Sequence, residues 1–198
     1  LHSFPTRRFS DLGARIIFLP MQYPEAVRAA LRPDTILVSL MLVNNETGCV
    51  FPVREIADGL SGSGALLHTD AVQGFLKVPF RAGSLGADLI SVSAHKLGAP
   101  KGIGALYLGE RVRSPRPLIA GGGQENGLRS GTEATAQLAG FARAVELWQS
   151  NADQARQQLA SLKEYALERL LGVRGVERVG SGDAPHILSL SLVGYPSA

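Results

Sequence analysis

Short apolar runs, each ending on a cluster of polar residues, set the rhythm of this chain. Residues 35–43 (Thr-Ile-Leu-Val-Ser-Leu-Met-Leu-Val) stop at Asn44-Asn45-Glu46-Thr47-Gly48. Residues 65–68 stop at Thr69-Asp70-Ala71-Val72-Gln73, and residues 89–92 at Ser93, His95 and Lys96, ahead of a Gly/Pro-rich turn. Apolar runs of this length bounded by turn residues predict buried strands. The polar stops Asn45, Asp70 and Lys96 follow one another at 25 and 26 residues. That is room for one strand, loop and helix each, as in neighbouring parallel strands joined by crossovers.

The remaining pattern fits the same frame. Residues 14–19 read as a strand stopped by Pro20, and 24–31 as a short amphipathic helix before the Pro33-Asp34 turn. Pro52 is placed to start a helix over 53–60, which Ser61-Gly62-Ser63-Gly64 ends. Residues 75–80, with Pro79, read as an edge segment, 82–86 as a turn and 103–108 as a strand. Residues 111–116 form a charged loop tip. Helical periodicity covers 132–171, with Trp148 as core packing and a break predicted at Ser150-Asn151-Ala152-Asp153, because Asn and Asp favour caps. Residues 176–179 and 186–192 read as strands, the second alternating with period two like a half-buried antiparallel strand. The expected fold is α/β, a mostly parallel sheet with flanking helices over 13–150, plus the start of a smaller α+β domain over 151–198.

Ligands of open α/β sheets bind outside the carboxyl ends of the strands. An amide (Asn45), a carboxylate with a nearby amide (Asp70, Gln73) and a Ser93/His95/Lys96 trio are therefore expected on one edge. A lysine where a buried strand meets a glycine-rich loop can lose part of its hydration, which favours the neutral amine that attacks a carbonyl. The set suits pyridoxal phosphate (PLP). Lysine would hold the aldehyde as an imine, and a carboxylate would keep the pyridine nitrogen protonated so that the ring withdraws electrons. Hydroxyl and imidazole groups would hold the phosphate, and an amide would address the phenolic oxygen.

Four motifs carry a family resemblance: Asn44-Asn45-Glu46-Thr47-Gly48, His68-Thr69-Asp70-Ala71-Val72-Gln73, Ser93-Ala94-His95-Lys96, and Gly121-Gly122-Gly123-Gln124-Glu125 followed by Arg129-Ser130-Gly131-Thr132. In this order and spacing they resemble the cysteine desulfurases, in the class V branch of the fold-type I PLP enzymes. The resemblance covers essentially all of residues 13–198. It implies that Lys96 is the Schiff-base lysine and Asp70 the partner of the pyridinium nitrogen. It further implies that Gln73 and Asn45 contact the phenolic oxygen's surroundings and that Ser93 and His95 are phosphate ligands. Thr132 would reach the phosphate of the other subunit in a homodimer, and His68 would pack or support. The implied reaction converts L-cysteine to L-alanine and passes sulfur, as a persulfide, to an acceptor protein for iron–sulfur cluster or thio-cofactor synthesis. The family's persulfide cysteine and carboxylate-binding arginine are expected past residue 198. Its ring-stacking imidazole and cis phosphate loop are expected before residue 13. The chain is thus expected to be an inactive fragment, consistent with a first residue other than Met. Rival readings are another class V enzyme, an aminotransferase or selenocysteine lyase, and a non-catalytic binding module.

Composition narrows the alternatives. A hydrophobic content of 45% suffices for a domain-sized core, and no apolar run approaches the roughly 18 residues of a membrane span. The one cysteine, Cys49, cannot form an intrachain disulfide, and a reducing, cytoplasmic setting is the simple expectation. Cys49 lies in no nucleophile motif and is expected to be a small buried hydrophobe. No Cys/His cluster has metal-site spacing. Residues 1–12 lack a hydrophobic period and resemble the translation of a sequencing-library adaptor, so they are expected to be non-native. They carry Arg7, Arg8 and Asp11, so leaving them out lowers the small net charge of +3 by one. With no basic run and no interleaved aromatics, nucleic acid is not an expected partner.

Overall fold

The computed structural model describes residues 13, 15–19 and 24–195, so residues 1–12 lie outside the described residues. Three strands form where the apolar runs predict them: β1 (Leu37–Met41), β2 (Leu66–Asp70) and β3 (Leu89–Ser93). They run parallel, and β4 (Gly104–Leu108) returns antiparallel along β3, giving the order β1-β2-β3-β4. Helix α1 (Pro24–Ala30) precedes β1, α2 (Val53–Gly59) lies in the β1–β2 crossover, and α3 (Ala82–Leu85) in the β2–β3 crossover. Pro52 sits one position outside α2, as its N-cap. Gly86 ends α3 in the left-handed conformation that a side chain resists.

Period-two alternation divides the sheet into two unlike faces. Leu40, Leu67, Thr69 and Ile90 turn to one face and are almost fully buried against Val27 of α1, Val53 and Ile56 of α2, and Leu85 of α3. The opposite face of β2 carries His68 and Asp70, so the pleat that builds the core also sets these polar groups apart from it. At the hairpin, a Cβ on Gly104 would lie 2.6 Å from the Val92 carbonyl oxygen; only glycine allows β4 to approach so closely.

The amino ends of the strands are pinned by a buried carboxylate. Asp88 is 6% exposed; its Oδ2 accepts the Leu67 main-chain N–H at 2.8 Å and an Arg111 guanidinium N–H at 3.2 Å. Arg111 also donates to the Ala65 carbonyl at 2.8 Å. The predicted charged loop tip thus begins with a residue that crosses back to hold β2 against β3.

Elsewhere the structure departs from the pattern. Residues 15–19 join no sheet among the described residues; without a neighbouring strand, their backbone has no ladder to enter. Residues 72–78 form turns rather than an edge strand, because Leu76 takes a positive φ of 61°. Helix α4 (Thr135–Leu170) runs unbroken through the predicted break. Ser150 Oγ and Asn151 Nδ2 both donate back to the Leu147 carbonyl, and Asp153 pairs with Arg156, so these side chains bond along the helix instead of capping it. Trp148 is half-buried and donates to the Leu97 carbonyl at 3.1 Å, docking α4 on the turn that carries Lys96. Of 186–192, only β6 (Leu190–Leu192) is strand, paired antiparallel with β5 (Val176–Arg178). His186 and Ile187 fold back toward the large sheet, where Ile187 packs on the core.

Removing the pinning carboxylate leaves the buried Leu67 N–H without a partner. Asp88→Ala is expected to cost about 1–3 kcal/mol, the usual penalty for an orphaned buried polar group. Asp88→Asn should cost less, since an amide oxygen still accepts the N–H. Urea unfolding checks this; equal midpoints for both variants and the parent chain would contradict the assignment.

Candidate active site

Side-by-side pairing brings three turns to one edge of the sheet. Met41 pairs with Asp70, and Asp70 with Ser91. The ladder continues past the strand ends through Leu42 N–H to the Asp70 carbonyl (2.8 Å) and Ala71 N–H to the Ser91 carbonyl (2.9 Å). The residues that follow each strand therefore leave from the same level.

In the first turn the two asparagines divide the work. Asn44 Oδ1 accepts the N–H groups of Glu46 (2.9 Å) and Thr47 (2.8 Å), which closes the turn and leaves Asn45 exposed. Gly48 has φ +71° and Ile187 lies 3.0 Å from where its Cβ would stand, so both conformation and space exclude a side chain. In the second turn Asp70 is exposed, with one oxygen accepting the Val72 N–H at 2.9 Å and the other without a hydrogen-bond partner among the described residues. Gln73 follows, half-buried. In the third, a 3-10 turn over Ala94–Leu97 is anchored by buried Ala94 and Leu97 and ended by Gly98 at φ 81°. His95 is exposed, with Nδ1 2.7 Å from Ser93 Oγ, while Lys96 is half-buried and makes no hydrogen bond or ion pair among the described residues.

Two groups join this edge that the pattern of the sequence did not single out. Lys77 is only 9% exposed, and its side chain has no hydrogen bond or ion pair among the described residues. Burial, and then the Lys96 charge, pull its pKa down. Lys96, the lysine expected to lose part of its hydration, is half-buried, and Lys77 is buried more deeply. The only sign in the sequence is a lysine between apolar Leu76 and Val78. The second group is His186, whose two ring nitrogens are buried without a hydrogen-bond partner among the described residues. Burial, followed by Lys77, lowers its pKa to about 4, so the ring is neutral at ordinary pH. Its place depends on how 180–187 folds over the first two turns, which no local pattern records.

His68, expected to pack or support, does so with specific partners. Its Nδ1 lies 2.8 Å from Ser39 Oγ and its Nε2 2.8 Å from Ser91 Oγ. Cys49 is half-buried rather than a buried hydrophobe. Hydrogen bonds from Ser181 and Thr47 lower its thiol pKa from 9.0 to about 7, with Asp183, 2.6 Å from Ser181 Oγ, competing for the serine proton. Thr132 stands apart. It is exposed, and no hydrogen bond among the described residues ties it or the loop over 121–131 to the strand-end cluster. The loop folds on itself, with Ser130 Oγ on the Ala120 carbonyl and Gly131 N–H on Gln124 Oε1.

The donor set fits PLP by its chemistry. The edge presents a lysine amine, a carboxylate oxygen and the Asn45 amide, all without hydrogen-bond partners among the described residues, and a hydroxyl–imidazole pair at Ser93 and His95. No group of three or more His, Cys, Asp or Glu among the described residues is arranged to hold a metal ion.

The sequence profile of the family described as Aminotransferase class-V matches residues 5–197. Over 196 residues the chain is 41% identical to the mitochondrial cysteine desulfurase of Arabidopsis thaliana, covering 94% of this chain and 43% of that protein. A solved structure described as a NifS-like protein superposes with a TM-score of 0.87 at 34% identity, over 94% of this chain and 53% of the other. The structure of SspA in complex with cysteine superposes with a TM-score of 0.69 at 38% identity, over 82% and 44%. The architecture is the fold-type I transferase fold expected from the sequence. The chain spans less than half the length of the curated relatives it matches.

A ring buried as the neutral form makes stability depend on pH. His186 titrates at 6.5 when unfolded and about 4 when folded, so on acidification the unfolded chain takes up this proton first. The contribution is fully present above 6.5 and is lost as pH falls toward 4. Burial lowers the His68 pKa as well, adding loss in the same direction. His186→Asn is expected to flatten the fall of urea midpoints across this window, and an unchanged slope would contradict the buried neutral ring.

Proposed function

The chain belongs to the class-V aminotransferase family, and on that premise we propose that the full-length protein carrying it is a PLP-dependent cysteine desulfurase. It would convert L-cysteine to L-alanine and hand the sulfur, as a persulfide, to an acceptor protein serving iron–sulfur cluster or thio-cofactor synthesis. The observation that carries the reading is the convergence of Asn45, Asp70, Gln73, Ser93, His95 and Lys96 on three level strand ends, in a chain 41% identical to a cysteine desulfurase.

When bound, PLP supplies an electron sink that weakens the bond from the substrate's Cα to its hydrogen. Lys96 would hold the cofactor through its amine and, as a free amine, would serve as general base for the substrate's Cα proton. Asp70 would partner the ring nitrogen through the oxygen that has no hydrogen-bond partner among the described residues, and would keep a proton there. Gln73 and Asn45 would contact the ring oxygen and its surroundings, and Ser93 with His95 would bind the phosphate. Thr132, on an exposed loop, reaches the phosphate of a second subunit, making the active unit a two-fold homodimer. Residues 13–150 then belong to the cofactor-binding domain and 151–198 to the start of a smaller one, with 1–12 non-native. No helix among the described residues is long and apolar enough to cross a membrane. A reducing compartment such as the cytoplasm suits persulfide chemistry, with no membrane or nucleic acid as partner.

Borohydride reduction of the PLP-loaded full-length protein should fix pyridoxyl mass on the peptide carrying Lys96. Asp70→Asn should retain the cofactor yet lose turnover by several kcal/mol of barrier, on the order of losing one preorganised charge partner. Label on Lys77 or Lys101, or near-parental turnover by Asp70→Asn, would overturn the assignment.

A further inference from the structure

His68 touches nothing that reacts, yet its surroundings are more specific than packing requires. Its ring spans the sheet from Ser39 on β1 to Ser91 on β3, with both contacts at 2.8 Å. A neutral imidazole has one N–H and one bare nitrogen. Both are satisfied only when one serine donates to the ring and the other accepts from it. Burial disfavours the charged ring, with the nearby Asp70 carboxylate opposing that effect.

The bridge lies directly behind Asp70. Alternate residues of a strand share a face, so His68 and Asp70 are successive side chains on one face of β2. Ser91, which holds the ring, is also the residue paired with Asp70 across the β2–β3 ladder. Main-chain hydrogen bonds already align the three strands, and apolar side chains of similar size would hold the sheet as firmly. What a satisfied polar bridge adds is a single arrangement of the side chains it joins.

We propose that His68 is a positioning residue for Asp70, and that the Ser39–His68–Ser91 bridge sets the height and direction of that carboxylate at the edge of the sheet. The inference rests on the reading of Asp70 as partner of a protonated ring nitrogen. An uncharged ring behind the carboxylate leaves its negative charge for that nitrogen, whereas a fixed cation there would compete for it. Lys77, the buried lysine of the edge, sits in the turns over 72–78; burial and then the Lys96 charge lower its pKa, and it lowers that of His186.

The test uses the PLP-loaded full-length protein and reads the visible absorption of the bound cofactor alongside kcat and KM. His68→Phe should keep the cofactor, shift its absorption in the same direction as Asp70→Asn, and lower kcat roughly 10- to 100-fold, the scale at which outer partners act on the groups they orient. Added to Asp70→Asn, it should cost little more, because its effect passes through that carboxylate. Ser91→Ala should reproduce part of the shift and Ser91→Thr, which keeps the hydroxyl, should restore the parental spectrum. An unshifted spectrum in both His68→Phe and Ser91→Ala would overturn the proposal, as would full additivity with Asp70→Asn. Should His68→Phe fail to fold, the Ser91 pair decides the same question. A parental spectrum and rate in Asp70→Asn itself would instead remove the reading on which the inference stands.

Discussion

The parallel register of β1, β2 and β3 is the constraint on which the rest of this structure depends. Main-chain hydrogen bonds fix Met41 beside Asp70 and Asp70 beside Ser91, and each following turn leaves from that common level. A slip of one residue in β2 would turn Asp70 into the core and Thr69 out of it. Burial opposes that slip, since Leu67 and Thr69 are almost completely enclosed beneath α1 and α2. The hydrophobic layer thus holds the polar edge in register without touching it.

Charge at that edge is arranged by unequal burial. Lys77 is buried, His186 and Lys96 are half-buried, and Asp70 and His95 are exposed. Desolvation favours neutral forms, so the interior side of the edge resists accumulating positive charge.

The C-terminal part braces the first turn. The Ala184 N–H donates to the Gly48 carbonyl at 2.8 Å, Ser181 bonds Cys49, and Lys163 of α4 donates to the carbonyl oxygens of Gly182 and Ala184. Helix α4 in turn docks on the third turn through Trp148 and on the second through Arg156 and the Leu76 carbonyl. One continuous helix therefore links the turns bearing Lys96 and Gln73 to the loop that supports Asn45. Its continuity across residues 150–153 is what carries the connection.

The sequence by itself determined the three parallel strands, their polar endings and the residue set at the edge. Apolar run length, turn residues and spacing are local properties, and the crossover distance between parallel strands follows from them. It also marked Ser93, His95 and Lys96 as one turn, because a glycine-ended 3-10 turn is short enough to be written in consecutive residues. Only the tertiary structure decided which lysine is buried, what His68 bonds to and how the segment around His186 folds back. It also decided that α4 does not break, because Ser150 and Asn151 found acceptors within the helix. Residues 15–19 and 75–80 read as strands from their apolar content, yet a strand exists only where a neighbour receives its hydrogen bonds. Burial and pairing depend on residues distant in the chain, and no local pattern contains them.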